Sequence, residues 1–99
     1  YPVTLNDIDL TARSLPTLEK IVGKDMIFRA DRSTGAEDFS FFSQEIPGFF
    51  FFLGVNRPGV DYKEVPGNHS PYFYVDDGAL PVGFKALTKL TIDYLYGDI

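Results

Sequence analysis

His69 is the only histidine of the chain, and it stands in the loop sequence Asn68-His69-Ser70-Pro71. A neutral imidazole is a favoured ligand of zinc and related metals, and loops that follow regular elements often carry active sites. The alternative is a surface or hydrogen-bonded loop histidine without chemistry. Because a catalytic zinc site needs about three protein ligands and the chain has no cysteine, any metal at His69 requires ligands from elsewhere.

Two acidic pairs could also carry chemistry. Glu37 and Asp38 could bind a metal, orient a ligand or act as acid and base. They also suit a helix start, since Thr34 and Glu37 have capping-box spacing and Asp38 would lie in the first helical turn. Asp76 and Asp77 resemble half of a carboxylate site, but either residue could instead cap a final helix. The residue types leave both interpretations open for each pair.

Composition and charge exclude several functional classes. The net charge is −5, and the nine Lys and Arg residues are scattered, so we expect no nucleic-acid partner. No apolar stretch approaches the roughly 20 residues that span a bilayer, and we expect no membrane association. The absence of cysteine suits a reducing compartment, and we expect a cytoplasmic protein. No phosphate-binding loop, nucleophile elbow or helical His-Glu-x-x-His motif is present.

Apolar residues at helical spacing predict two long helices that would position these candidates. The first begins near Asp7, since Asn6 and Asp9 have the spacing of a helix start, and it ends at Gly23. Pro16 should kink it or split it in two. The last follows Asp76 or Asp77 and runs to about Tyr96. The predicted buried stripes are Ile8, Ala12, Leu15, Leu18 and Val22 in the first helix, and Leu80, Phe84, Leu87, Thr91, Tyr94 and Leu95 in the last.

Short apolar runs predict strands between the helices. Residues 1–5 alternate like a strand end, residues 26–30 form a short strand, and the continuously apolar residues 49–55 are typical of a buried strand in a mostly parallel sheet. A short helix over about residues 37–45, a loop over 56–68 and an extended segment at 72–75 complete the order. This alternation predicts an α/β fold. Since 99 residues supply few neighbours for a fully buried strand, we expect an incomplete sheet and a longer protein.

Two ordered sequence blocks carry a family resemblance. The first is Gly35-Ala36-Glu37-Asp38-Phe39-Ser40-Phe41-Phe42, followed by Pro47-Gly48 and Phe51-Phe52-Leu53-Gly54. The second is His69-Ser70-Pro71-x-Phe73, followed by Asp77, Leu80 and Gly83. Together they resemble the metal-dependent N-acyl-amino-acid amidohydrolases. That family includes hippurate hydrolase and the indole-acetyl-amino-acid hydrolases, within the aminoacylase and zinc-carboxypeptidase superfamily.

The resemblance implies an architecture for the chain. Residues 1–99 would be the C-terminal portion of a three-layer αβα zinc-peptidase-like catalytic domain. Residues 1–6 would return from an inserted dimerisation domain, through which the longer protein would form a homo-oligomer. The remaining sheet strands would lie outside this chain.

The resemblance also implies an activity, the hydrolysis of the amide bond of N-acyl amino acids. Two divalent metal ions, zinc or manganese, would activate the attacking water and stabilise the oxyanion. His69 matches the family's C-terminal histidine ligand, whereas Glu37 and Asp38 match an acidic loop near the active site and receive no catalytic step. The other ligands and the general base have no counterpart here, so the chain alone should be inactive. The alternative is a non-catalytic α/β module that binds a partner or supports structure.

Overall fold

The computed structural model describes all 99 residues, Tyr1–Ile99, and its regular secondary structure is entirely helical. Helix α1 spans Ile8–Val22, α2 spans Phe39–Glu45 and α3 spans Ala79–Leu95. Single 3-10 turns occur at Lys24–Met26 and Tyr62–Glu64. The three helices predicted from the sequence are therefore confirmed, with ends close to those expected.

Helix α1 begins and ends where its local sequence signals indicate. The Asp7 carboxylate accepts a hydrogen bond from the Leu10 N–H at 2.7 Å, which satisfies a backbone donor that the first turn leaves free. At the other end Gly23 adopts φ 84°, and its N–H donates to the Glu19 carbonyl at 2.8 Å. The helix continues through Pro16 as one element, so the predicted split does not occur.

Helix α3 begins without a side-chain cap. Gly78 occupies the N-cap position, and no side chain accepts a hydrogen bond there. The backbone carbonyls of Asp76 and Asp77 accept instead from the N–H groups of Ala79 and Leu80, at 2.9 and 3.2 Å. The prediction that either aspartate side chain caps this helix is therefore wrong.

The structure contains no β-strand, so the predicted α/β class, with an incomplete sheet from a three-layer αβα domain, is wrong for this chain. Residues 1–5, 27–30, 49–55 and 72–75 run without regular secondary structure. A strand forms only where a second extended segment pairs with its backbone. Residues 49–54 make no backbone–backbone hydrogen bond, and the nearest ones are at Gly48 and Val55. The apolar run therefore has β-type composition but no strand partner.

Side-chain contacts, and not the backbone hydrogen bonds of a sheet, fix the position of residues 49–55. The Asn6 side-chain Nδ2 donates to the Phe50 carbonyl at 2.8 Å, and its Oδ1 accepts from the Phe50 N–H at the same distance. The Phe50 ring lies 5.4 Å from the ring of Phe39 and 5.5 Å from that of Phe52, centroid to centroid. One amide side chain thus satisfies both backbone groups that a neighbouring strand would otherwise pair.

Helix α3 meets the same segment at a glycine. A Cβ added to Gly83 would lie 2.8 Å from Leu53 Cδ2, so an alanine there would require the leucine to move. Just before α3 in the chain, the Asp76 N–H donates a hydrogen bond to the Val55 carbonyl at 2.7 Å. Glycine inside a helix costs about 0.5–1 kcal/mol relative to alanine. At this position the missing side chain allows α3 to approach Leu53.

Helices α1 and α3 pack against each other through small and polar side chains. The buried residues at this contact are Ser14 and Thr17 of α1, and Ala86 and Asp93 of α3. The predicted apolar stripe of α3 faces away, since Phe84 is 73% exposed and Leu87 is 66% exposed. The stripe predictions are therefore wrong for α3 as a whole and for Ile8 and Ala12 of α1, which are also exposed.

Apolar side chains are largely left on the surface of the chain. Ala86 is the only buried hydrophobic residue, and the accessible surface is 8184 Å². A compact folded chain of this size is expected to expose about 5,700 Å². The radius of gyration of 14.5 Å likewise exceeds the roughly 13 Å of a compact domain. The three helices therefore form a framework with little hydrophobic core of its own.

Candidate functional site

His69 lies exposed at the tip of a turn. The Gly67 carbonyl accepts a hydrogen bond from the Ser70 N–H at 2.9 Å, which places Asn68 and His69 at the two central positions of a four-residue turn. The Ser70 hydroxyl oxygen in turn accepts from the Tyr72 N–H at 3.1 Å. These bonds fix the backbone on both sides of the imidazole and leave the ring accessible.

Glu37 and Asp38 lie just before α2, and both are exposed. The Glu37 Oε1 accepts from the Phe39 N–H at 3.2 Å. Asp38 stands at the N-cap but makes no cap hydrogen bond through its side chain. The predicted capping box is therefore wrong, because Asp38 occupies the position assigned to Thr34. A hydrogen bond to the Asp38 carboxylate, and then its negative charge, raise the pKa of the Tyr1 hydroxyl above its ordinary 10.0.

The acidic loop is followed by a tightly packed region, which is formed by α2 and Gly48. Ser40 is fully buried in α2, and its hydroxyl has no hydrogen-bond partner. Gly48 is also buried, and a Cβ added there would lie 2.9 Å from the Phe39 ring and 3.3 Å from Ser43 Cβ. The acidic and Pro-Gly portions of the first sequence block thus contact each other, although Phe39 and Gly48 are nine positions apart.

The chain does not assemble a metal site by itself. No group of three or more His, Cys, Asp or Glu side chains lies close enough to hold a metal ion, whereas a catalytic zinc needs about three protein ligands. A cleft of about 350 Å³ is lined by residues 5–7 and 43–48 and includes none of Glu37, Asp38 and His69. The available donors therefore fit one ligand of a metal centre, not the whole of it.

Asp93 is an important contact that the sequence did not indicate. It is 8% exposed, and its Oδ2 accepts a hydrogen bond from Thr17 Oγ1 at 2.7 Å. Its Oδ1 pairs with Lys89 Nζ at 3.0 Å. The Thr17 hydrogen bond, then that of Lys89 and the positive charges of Lys89 and Lys20, lower the pKa of Asp93 below its ordinary 3.8, while burial opposes them. Since 76 positions separate Thr17 from Asp93, no local pattern could reveal the pair.

Arg57 and Tyr74 form a second contact that the sequence did not indicate. The Arg57 guanidinium carbon lies 5.1 Å from the centroid of the Tyr74 ring, within the range of a cation–π interaction. The two residues stand on opposite sides of the His69 turn in sequence. Loop composition gave no reason to pair them, since the loop holds several charged and aromatic residues.

None of the helices combines the length and the apolar character that crossing a bilayer requires. No solved structure matches the chain.

Comparison with known proteins places the chain in a family. A sequence model described as "Peptidase family M20/M25/M40" matches residues 1–93. The IAA-amino acid hydrolase ILR1-like 6 of Arabidopsis thaliana is 34% identical over 96 residues, covering 96% of this chain and 20% of the plant protein. The IAA-amino acid hydrolase ILR1-like 2 of the same plant is 30% identical over 94 residues, covering 95% of this chain and 21% of that protein.

An archaeal relative gives the same result. The Thermostable carboxypeptidase 2 of Saccharolobus solfataricus is 35% identical over 96 residues, covering 95% of this chain and 23% of that protein. The chain spans about a fifth of the length of the curated relatives it matches. The resemblance seen in the two sequence blocks is therefore confirmed, and the chain belongs to Peptidase family M20/M25/M40, a hydrolase family that is generally metal-dependent.

Proposed function

We propose that this chain is the C-terminal segment of the catalytic domain of a longer enzyme that hydrolyses the amide bond of N-acyl amino acids. Support comes from the family membership and from the names of the relatives, which are IAA-amino acid hydrolases and carboxypeptidases. Hydrolases of both kinds release an amino acid by cleaving an amide bond. An N-acyl amino acid is the simplest substrate class that fits both.

His69 contributes one metal ligand in this proposal. The observation that carries it is the exposed imidazole at the tip of a hydrogen-bonded turn, with no second and third donor gathered around it. Such a ring is accessible to a centre whose other ligands come from outside these 99 residues. Glu37 and Asp38 belong to a loop that borders the same active site and shape it, without a step assigned to either.

Several finer features belong to the same proposal. The metal centre holds two divalent ions, zinc or manganese, and the longer protein is a cytoplasmic homo-oligomer. Residues 1–6 lead back from the domain through which the copies associate. The residues present here supply a ligand and an acidic loop, whereas the metal supplies the activation of water when it is bound.

The test is His69→Ala in the full-length protein. We expect the metal content to fall and the hydrolysis of N-benzoylglycine to drop by more than about 100-fold, because even loss of an outer-shell partner of a metal ligand costs about 10- to 100-fold. Metal content is measured by elemental analysis and hydrolysis by release of glycine. The circular dichroism spectrum should not change, since the side chain is exposed.

Asn68→Ala is the matched control, because Asn68 occupies the other central position of the same turn. It should keep both metal and activity. Unchanged metal content and activity in His69→Ala would refute the ligand role. A wild-type protein that binds no metal and hydrolyses no N-acyl amino acid would favour the non-catalytic alternative.

A further inference from the structure

Asn6 and Asp7 fix the backbone of Gly48 and Phe50. The Asn6 side chain bonds both backbone groups of Phe50, with Nδ2 to carbonyl oxygen and Oδ1 to nitrogen distances of 2.8 Å each. The Asp7 N–H donates to the Gly48 carbonyl, also at 2.8 Å. Residues 1–5, by contrast, make no backbone–backbone hydrogen bond. The backbone of the extended N-terminal segment is therefore attached to the rest of the chain only at its end.

The Phe39 ring packs against the same two residues. Its centroid lies 5.4 Å from that of the Phe50 ring. Two of its carbon atoms lie 2.9 and 3.0 Å from the position that a Cβ of Gly48 would take, so any side chain there would overlap with the ring. Phe39 is thus in contact with the backbone whose position Asn6 and Asp7 fix.

Phe39 is joined in turn to the acidic loop. It is the first residue of α2 and directly follows Glu37 and Asp38. Its N–H donates to Glu37 Oε1 at 3.2 Å, and the carbonyls of Glu37 and Asp38 accept from the next two N–H groups of the helix, each at 3.1 Å. Neither acidic side chain takes part in an ion pair that would hold it elsewhere. A displacement of Phe39 would therefore move both residues with it.

The N-terminal segment also contacts α2 directly. The Tyr1 ring lies 5.4 Å from the ring of Phe41, centroid to centroid, on the first turn of the helix. Residues 1–6 thus contact α2 at one end and, at the other, the residues against which Phe39 packs. The segment and the acidic loop are neighbours in space, although 31 positions separate Asn6 from Glu37.

We propose that Asn6 is a positioning residue for the substrate site, an inference that rests on the function proposed above. By fixing Phe50 it holds Phe39 and, through Phe39, the acidic loop that shapes this site. Energetic coupling is carried by continuous series of packed side chains and hydrogen bonds, and the contacts from Asn6 to Glu37 form such a series. Since residues 1–6 lead back from the domain through which the copies associate, Asn6 ties the acidic loop to the connection between the two domains.

The first test compares kinetic constants of the full-length enzyme with N-benzoylglycine as substrate. Asn6→Ala should raise KM by about 2- to 10-fold, the factor that corresponds to the usual contribution of one hydrogen bond. The value of kcat should change by less than about threefold, because the loop shapes the site and takes no part in a chemical step. Asn6 is exposed, so its truncation leaves no cavity and the protein should remain folded.

Thr17→Val is the matched control, because it also removes a hydrogen bond between residues that are distant in sequence. It should destabilise the protein and leave KM at the wild-type value. In the double variant of Asn6→Ala and Glu37→Gln, the two effects on KM should not simply multiply, because both act through one loop. An unchanged KM in Asn6→Ala, or independent effects in the double variant, overturns the positioning role.

Gly48→Ala displaces the same ring and leaves the hydrogen bonds of Asn6 in place. Its added Cβ would lie 2.9 Å from Phe39, so the ring must move and KM should rise as it does in Asn6→Ala. Gly54→Ala is the control, since a Cβ there has no neighbour within 4 Å. A higher KM in Gly48→Ala together with an unchanged KM in Asn6→Ala would show that Phe39 positions the loop without Asn6, and the proposal would fail.

Hydrogen exchange of the full-length protein separates this inference from the proposed function, because it needs no substrate. In Asn6→Ala, the backbone amides of α2 should exchange at least about twofold faster than in wild type, while those of α3 keep their rates. In Thr17→Val the amides of α2 should keep their rates. If these results appear and the wild type hydrolyses no N-benzoylglycine, Asn6 holds the loop and only the proposed reaction fails. Unchanged exchange of α2 in Asn6→Ala overturns the inference, whatever the kinetic assay shows.

Discussion

The two faces of helix α3 differ in a way that reverses the usual expectation for an amphipathic helix. The face that meets α1 carries Ala86 and Asp93, and it is buried. The outer apolar face, as we call it, consists of exposed Leu80, Phe84, Leu87, Tyr94 and Leu95. Small side chains permit close approach of two helices. The hydrogen bond from Thr17 to the Asp93 carboxylate joins the two helices. Helix α3 thus contacts α1 through its less hydrophobic face, and its outer apolar face remains exposed.

This difference predicts where the stability of the longer protein proposed above should come from. Burial of apolar surface contributes about 25 cal/mol per Å² only when the surface leaves water. The chain exposes 8184 Å², about 2,500 Å² more than a compact chain of its size. The outer apolar face therefore contributes little in this chain alone, and it would stabilise the longer protein proposed above only by being covered by another part of that protein.

The largest expected effect comes from Phe84→Ala on the outer apolar face. In the full-length protein we expect the free energy of unfolding to fall by about 3–5 kcal/mol, as for a covered phenylalanine. In the 99-residue chain, where Phe84 is exposed, helix content should hardly change. Urea denaturation and circular dichroism measure the two effects. Lys85→Ala is the neighbouring control, and equal effects of Phe84→Ala in both proteins would contradict the comparison.

A smaller effect is expected from Ala86→Leu on the inner face. Ala86 is 4% exposed and lies two turns before Asp93 on the face of α3 that meets α1, so we expect a larger side chain to push the two helices apart. We expect a loss of about 1–3 kcal/mol in the free energy of unfolding, which is typical of overpacking. Urea denaturation of the full-length protein measures it. Thr88→Leu introduces the same side chain at an exposed position of α3, and a similar loss there would show that the helix contact is not the cause.

Thr17→Val should have a still smaller effect. It keeps the shape of the buried side chain and removes the hydroxyl that donates to Asp93 at 2.7 Å. We expect the free energy of unfolding of the full-length protein to fall by about 0.5–1.5 kcal/mol, the usual contribution of one hydrogen bond, as measured by urea denaturation. Thr88→Val is the exposed control. No decrease in Thr17→Val would mean that the hydrogen bond does not hold the two helices together.

The smallest effect should appear in the pH dependence of stability. The Thr17 and Lys89 partners lower the pKa of folded Asp93 below its ordinary 3.8. The stabilisation from this carboxylate is therefore present above the unfolded pKa and is lost as the pH falls below about 4. Thermal midpoints of wild type and Asp93→Asn at several pH values between 7 and 3 measure it. Their difference should be constant above pH 5 and shrink at lower pH, and a constant difference at every pH would contradict it.

Local signals predicted the helices well and tertiary features poorly. The ends of α1 were predicted to within a residue, because helix starts and a positive φ at Gly23 depend on a few neighbouring residues, although Asp7 and not Asn6 supplies the N-cap. Residues 49–55 were predicted as a strand from composition, but strand formation depends on a partner segment that a single run cannot specify. The inner faces of α1 and α3 were missed for a similar reason, since periodicity identifies the more apolar face and not the face that a neighbour covers.

In the candidate site, too, local motifs could be predicted from the sequence and tertiary contacts could not. His69 was identified by a short motif and the order of two blocks, and the family comparison confirms the resemblance that drew attention to it. Its role as a ligand stays a prediction, because the residues around it do not complete a site. The contact between Arg57 and Tyr74 could not be predicted from the sequence, because 17 positions separate the two residues.

Gly83 constrains the number of residues between the start of α3 and its contact with Leu53. The hydrogen bond between Asp76 and Val55 fixes where α3 starts, and the missing side chain at position 83 fixes which part of its circumference faces Leu53. One residue inserted between these two points would turn the later helix by about 100° and bring Val82 to the place of the glycine. Insertions and deletions should therefore be rare in family members between the start of this helix and Asp93, whose hydrogen bond to Thr17 depends on the same register.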